Sequence, residues 1–81
     1  MDRIKVVRQH RKVSVKEISN HLGISTSAYY AKERGARATT IDELETICIY
    51  LDFPPYYLYQ SVDAFYEVLN NSLSNTMLAF Q

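Results

Sequence analysis

The side chains of this 81-residue chain that can do chemistry are unevenly placed, and the cations most of all. Arg3, Lys5, Arg8, Arg11, Lys12, Lys16, Lys32, Arg34 and Arg37, which are all of its Lys and Arg, lie before residue 38. Only Asp2, Glu17 and Glu33 share that stretch, so nine bases against three acids leave it at +6. From Ala38 onward six acids and no base give −6, and the formal net charge of zero conceals the division. A cationic half suits a polyanion, since each neutralised phosphate releases condensed counterions. The plainer possibility is that the two halves pair their charges between helices.

Other kinds of chemistry have little to work with. His10 and His21 stand alone, without the paired histidines or cysteines of a zinc site, so no metal is expected. No Ser-His-Asp spacing or nucleophile elbow can be assembled from the serines. Two glycines are too few for a phosphate-binding or dinucleotide-binding loop, and neither a cofactor nor enzymatic activity is expected. The single cysteine, Cys48, cannot form an internal disulfide and reads as a small core residue. No apolar run approaches the ~20 residues that span a bilayer. With no signal-peptide pattern after Met1, a cytoplasmic protein without a membrane partner is expected.

Most of the cations flank or lie within residues 14–35, which read as helix, turn, helix. Ser14 and Glu17 have capping-box spacing, each able to bond the other's backbone amide. Ile18 and Leu22 share a face, and Gly23 suits the left-handed conformation that ends a helix. Ser25 then caps a second helix reaching about Arg34, whose outer face offers Thr26, Ser27, Tyr30 and Ala31, all short or hydrogen-bonding side chains. Upstream, Ile4 and Val7, with Val6 and the stem of Arg11 alongside, mark the inner face of a first helix from Asp2 to His10. Downstream, Thr40 and Glu43 repeat the capping box, and Leu44, Ile47, Cys48 and Leu51 form a stripe with Ile41 packed at its start. Pro54-Pro55 can open a short fifth helix. No strictly alternating strand run occurs.

This pattern resembles the helix-turn-helix of the phage repressor and Cro family, the Xre family, over roughly residues 2 to 59. Gly23 falls on that family's turn glycine, Ile24 on a buried aliphatic, and Glu33-Arg34-Gly35 where its recognition helix commonly ends. Leu44, Ile47, Cys48, Leu51 and Leu58 fall on the core of its fourth and fifth helices. The resemblance implies an all-α fold: a five-helix lambda-repressor-like DNA-binding domain over residues 1–60, with an additional C-terminal helix in 61–81. It also implies that Arg8 pairs with Glu33; without it, Arg8 is a solvated helical arginine. Departures from the pattern are Val15 and Lys16 in the region of a glutamine, Ser19 for an alanine, Thr39 where proline is common, and Tyr29 and Lys32 at successive core positions. A buried ammonium is costly unless its stem packs and its head reaches water.

What the resemblance implies functionally is a sequence-specific, DNA-binding transcriptional regulator, a repressor acting as a homodimer on near-palindromic double-stranded DNA. Thr26, Ser27 and Tyr30 would meet base edges, and Ala31 a thymine methyl, as the recognition helix enters the major groove by its N-terminal end. Lys16, Arg34 and Arg37 would hold phosphates and set register. Two copies would set their recognition helices about 34 Å apart.

The remainder admits two readings. Tyr56, Tyr57, Leu58 and Tyr59 are either core closure or an interface. In 61–81, Ser61 can cap a further helix on which Val62, Tyr66, Leu69, Leu73 and Phe80 recur at three- and four-residue steps if Thr76 is counted. That helix packs on its own domain or on a second subunit. Dimerisation is the reading preferred here, with Tyr56, Tyr59, Val62, Tyr66, Leu69 and Leu73 as candidates, because a small domain gains little from turning a second apolar face inward. The acidic, tyrosine-rich half also motivates a second functional class: a protein-interaction module, antitoxin-like or adaptor, with a protein partner.

Overall fold

The computed structural model describes residues 2–71. The chain runs through α1 Asp2–His10, α2 Val15–Leu22, α3 Thr26–Glu33, α4 Ile41–Leu51, a 3₁₀ turn over Pro55–Tyr59, and α5 Val62–Asn70. Among the described residues there is no strand, and the fold is all-α as expected.

Side-chain caps start four of these helices. Ser14 Oγ accepts from the Glu17 amide at 3.0 Å, Ser25 Oγ from Ala28 at 3.1 Å, and Ser61 Oγ from Ala64 at 3.2 Å. Thr40 completes a full capping box: its hydroxyl accepts from the Glu43 amide and its own amide donates to the Glu43 carboxylate at 2.9 Å. At Ser14 the box stays half-formed, because the Glu17 carboxylate accepts from the Tyr50 hydroxyl and so ties α2 to α4. Helices α2 and α4 end alike. Beyond each, a residue in the left-handed region, Gly23 at φ 71° and Asp52 at φ 54°, turns the chain so that two amides return to the last helical carbonyls.

One core joins all five helices. Ile4 and Val7 of α1, Ile18 of α2, Tyr29 of α3 and Ile47, Cys48 and Leu51 of α4 are buried together with Phe53, Leu58, and Phe65 and Leu69 of α5. Two expectations are corrected by this arrangement. Leu69 was a candidate for dimerisation but is only 2 % exposed within its own domain, because Phe53 and Phe65, with ring centroids 5.4 Å apart, draw α5 onto the body. Burying a side chain of this size contributes on the order of 1.5–3 kcal/mol, which explains why α5 turns this face inward. Ile41, expected to pack at the start of α4, is 74 % exposed, since it precedes the stripe that Leu44 and Ile47 begin. The expected fifth helix is a 3₁₀ turn; Pro54 and Pro55 supply no amide, and Tyr57 donates back only three residues, to Pro54 O at 3.1 Å. Leu73, Thr76 and Phe80 lie outside the described residues.

Two arginines close the outer shell. Arg11 donates to the carbonyls of Leu51 at 2.8 Å and Asp52 at 3.1 Å, placing a cation at the negative end of the α4 dipole. Arg3 donates to Leu58 O at 3.0 Å and Gln60 O at 2.6 Å, with its guanidinium 5.0 Å from the centre of the Phe65 ring.

Candidate nucleic-acid interface

Helices α2 and α3 are set by the turn at residues 22–25. The Gly23 amide donates to Asn20 O at 3.1 Å and the Ile24 amide to Ser19 O at 3.0 Å, which stops α2 sharply and lets Ser25 begin α3. A side chain at Gly23 would meet nothing within 4 Å, so its φ of 71° is what favours glycine. From this turn α3 projects an outer face on which Thr26 and Ser27 are exposed, Tyr30 is half exposed and Ala31 is half-buried. Groups that can donate, accept or offer a methyl contact therefore stand together on one flank.

The cations nominated beside that flank are all exposed: Lys16 on α2, Arg34 at the end of α3 and Arg37 in the following loop. Arg37 is held close to α3 by its backbone, whose amide donates to Ala31 O at 3.1 Å. Gly35, at φ 81°, provides the reversal that makes this return possible. Val15, in the region where the resemblance sets a glutamine, is buried, and Lys16 and Glu17 are the side chains exposed at the start of α2.

Behind the exposed flank, charged and polar groups anchor α3. Arg8 Nε lies 2.9 Å from Glu33 Oε2 and Arg8 Nη2 lies 3.1 Å from Glu33 Oε1, a two-pronged pair between α1 and α3 with both side chains buried. The hydrogen bond to Glu33 raises the Arg8 pKa, against the desolvation that lowers it. Tyr29 is fully buried alongside, and its hydroxyl finds no partner in good hydrogen-bonding geometry. Burial first, and then the nearby Glu33 carboxylate, push the Tyr29 pKa well up. Lys32, the other unusual core position, keeps its stem inside and brings its ammonium out to Ala38 O and Glu43 Oε1, each at 3.0 Å. The buried charge is thereby avoided.

The structure also divides the nine cations by use. Arg3, Arg8, Arg11 and Lys32 are engaged with carbonyls or carboxylates of the domain itself. Lys5, Lys12, Lys16, Arg34 and Arg37 remain exposed. Lys5 and Lys12 were not singled out from the sequence. Lys5 was legible as the polar neighbour of Ile4 on α1, whereas Lys12, at φ 58°, depends on a bend between α1 and α2 that no turn residue announces. His21 is exposed on α2 and its ring lies 4.4 Å from that of Tyr50. Among the described residues no group of His, Cys, Asp or Glu could hold a metal ion, and no helix is long and apolar enough to cross a membrane.

The remaining dimerisation candidates divide by burial. Tyr56, Tyr59 and Val62 are about two-thirds exposed and Tyr66 less so. Three tyrosines and a valine are thus exposed on the 3₁₀ turn and α5, while Leu69 faces the core.

Residues 2–64 match the family model described as a helix-turn-helix domain. No curated protein and no solved structure is significantly similar to the chain.

Proposed function

The chain belongs to the helix-turn-helix domain family, and from that premise we propose that it is a sequence-specific transcriptional repressor of the Xre and Cro type, a cytoplasmic homodimer on a near-palindromic operator. The observation that supports this reading best is the exposed polar flank of α3, Thr26, Ser27 and Tyr30, on a domain whose exposed cations include Lys16 on α2, Arg34 at the end of α3 and Arg37, whose amide is tied to Ala31 O. In the proposed complex the N-terminal end of α3 enters the major groove. Thr26, Ser27 and Tyr30 hydrogen-bond base edges, and Ala31 meets a thymine methyl. Lys16, Arg34 and Arg37 hold phosphates, which fixes register and supplies most of the salt-dependent affinity.

Dimerisation is proposed through the exposed side chains of Tyr56, Tyr59, Val62 and Tyr66. Tyrosines of this kind contribute large contact area at low entropic cost. Two subunits would then set half-sites one helical turn apart, about 34 Å. Selection of bound duplex from a random pool, with light scattering on the same sample, tests the whole proposal. The expected result is an enriched near-palindrome bound by two chains; a pool that never converges would oppose sequence-specific binding.

A second reading is supported by the acidic side. Asp42, Glu45, Asp52, Asp63 and Glu67 are exposed on the half that carries the tyrosines, which suits an antitoxin-like or adaptor role with a protein partner. A stable heteromeric complex with no shift on any genomic fragment would favour it.

A further inference from the structure

A cleft of ≈ 280 Å³ opens beside the C-terminal end of α3, where the loop after Gly35 crosses toward α4. That is close to the lower end of the ~300–1,000 Å³ typical of small-molecule sites. Ile4, Leu44 and Ile47 give it an apolar lining together with Tyr29, and Arg37 gives it a cation beside Lys32, whose charge is paired with Glu43. The lining carboxylate, Glu33, is already neutralised by Arg8. Lys32 uses two of its three N–H donors, on Ala38 O and Glu43 Oε1, and keeps one. The Arg37 guanidinium makes no hydrogen bond or ion pair among the described residues. An aliphatic side chain at position 32 would have brought no charge to this cleft.

We propose that the cleft binds a small organic anion with an apolar body, of the monocarboxylate class. Its carboxylate takes the fork of Arg37 and the remaining donor of Lys32, and its chain lies on Ile4, Leu44 and Ile47. Arg37 is also one of the phosphate contacts in the proposed complex. A carboxylate on its guanidinium competes with a phosphate for the same donors, so occupation of the cleft lowers affinity for DNA. This coupling rests on the DNA-binding reading, whereas occupation of the cleft does not.

The test uses the full chain labelled with ¹⁵N and two probes of matched shape, hexanoate and neutral hexanamide. Hexanoate is expected to give saturable amide shifts at Gly35, Ala38 and Thr39, with hexanamide about tenfold weaker or more, as loss of a charge-assisted bond requires. Arg37→Gln is expected to weaken hexanoate by about the same factor and leave hexanamide alone. Thr39→Trp, an exposed change among the lining residues, is expected to block both. Shifts that do not saturate, that are equal for the two probes, or that survive Thr39→Trp would overturn the site. Added to the protein–DNA complex, hexanoate is expected to weaken binding several-fold, and binding to the cleft with no effect on DNA would overturn the coupling. DNA binding without hexanoate binding would sink the cleft alone. Hexanoate binding by a protein that binds no DNA would leave the cleft standing and sink the DNA-binding reading.

Discussion

Arg8 of α1 grips Glu33 of α3 through two bonds of 2.9 and 3.1 Å, and its remaining nitrogen reaches the Val13 carbonyl at 3.0 Å. One guanidinium thus fixes α3 to α1 and to the chain that leads into α2. Breaking a buried pair leaves a charge without its partner, which costs more than the pair contributes. Glu33→Ala is therefore expected to destabilise the domain by about 3–5 kcal/mol in urea unfolding. The double change Arg8→Met with Glu33→Leu is expected to recover most of that loss. A single variant less than about 1 kcal/mol below the parent would mean that the pair holds nothing in place.

Tyr29 presents the opposite case, a buried hydroxyl without a well-formed bond. Removing an unsatisfied polar group at constant ring volume is close to neutral or mildly stabilising, so Tyr29→Phe is expected to lie within about 1 kcal/mol of the parent. A loss above about 2 kcal/mol would show that the hydroxyl is bonded in solution.

The start of α4 carries a pH dependence with a definite sign. The Thr40 amide first, and Lys32 second, hold the Glu43 pKa below its ordinary 4.5. A carboxylate whose folded pKa is depressed adds stability that is complete above 4.5 and fades as pH falls through the lower folded value. The gap in melting temperature between parent and Glu43→Gln should be constant at neutral pH and narrow as acid is added below 4.5. A gap that widens in acid would contradict the cap.

Cys48 is buried in α4, and desolvation pushes its pKa up to about 11. Only the thiolate reacts, so the native protein should resist a thiol reagent at pH 8 and label at the rate of domain opening. Labelling as fast as a free thiol would place Cys48 at the surface.

Much of this architecture was legible in the residues. Ser25, Thr40 and Ser61 cap helices because their side chains match the spacing of free amides, and Gly23 stands where the chain takes the left-handed conformation that favours glycine. The first helix was legible from Ile4 and Val7 for the same local reason. Contacts distant in sequence were not. The Glu17 carboxylate belongs by spacing to Ser14, but Tyr50, 33 residues away, competes for it and wins. The stem of Arg11 was legible on the inner face of α1 and Arg3 as part of the cationic half, but the carbonyls their guanidiniums meet come from α4 and the segment around the 3₁₀ turn. Leu69 looked available to a partner because periodicity marks an apolar face without saying what covers it, and the folded chain buries it in the domain's own core. Of the proposed interface, the flank of α3 could be read from helical spacing, whereas the division of cations into engaged and exposed needed the folded chain.

The exposed flank of α3 and the exposed cations of the domain remain the core of the functional proposal. Base-edge contacts and phosphate contacts fail differently. Tyr30→Ala or Ser27→Ala should relax preference at particular base pairs by about 1–3 kcal/mol, with the salt dependence unchanged. Either variant losing affinity evenly on all sequences would remove it from base readout.

The most direct measurement is the slope of log affinity against log salt for a selected duplex, for the parent and for Arg37→Ala. Each phosphate contact contributes about 0.9 to that slope, so Arg37→Ala should weaken every sequence alike and flatten the slope by about one unit per subunit. Affinity that does not change with salt, or a slope that Arg37→Ala leaves untouched, would contradict the placement of this face on DNA.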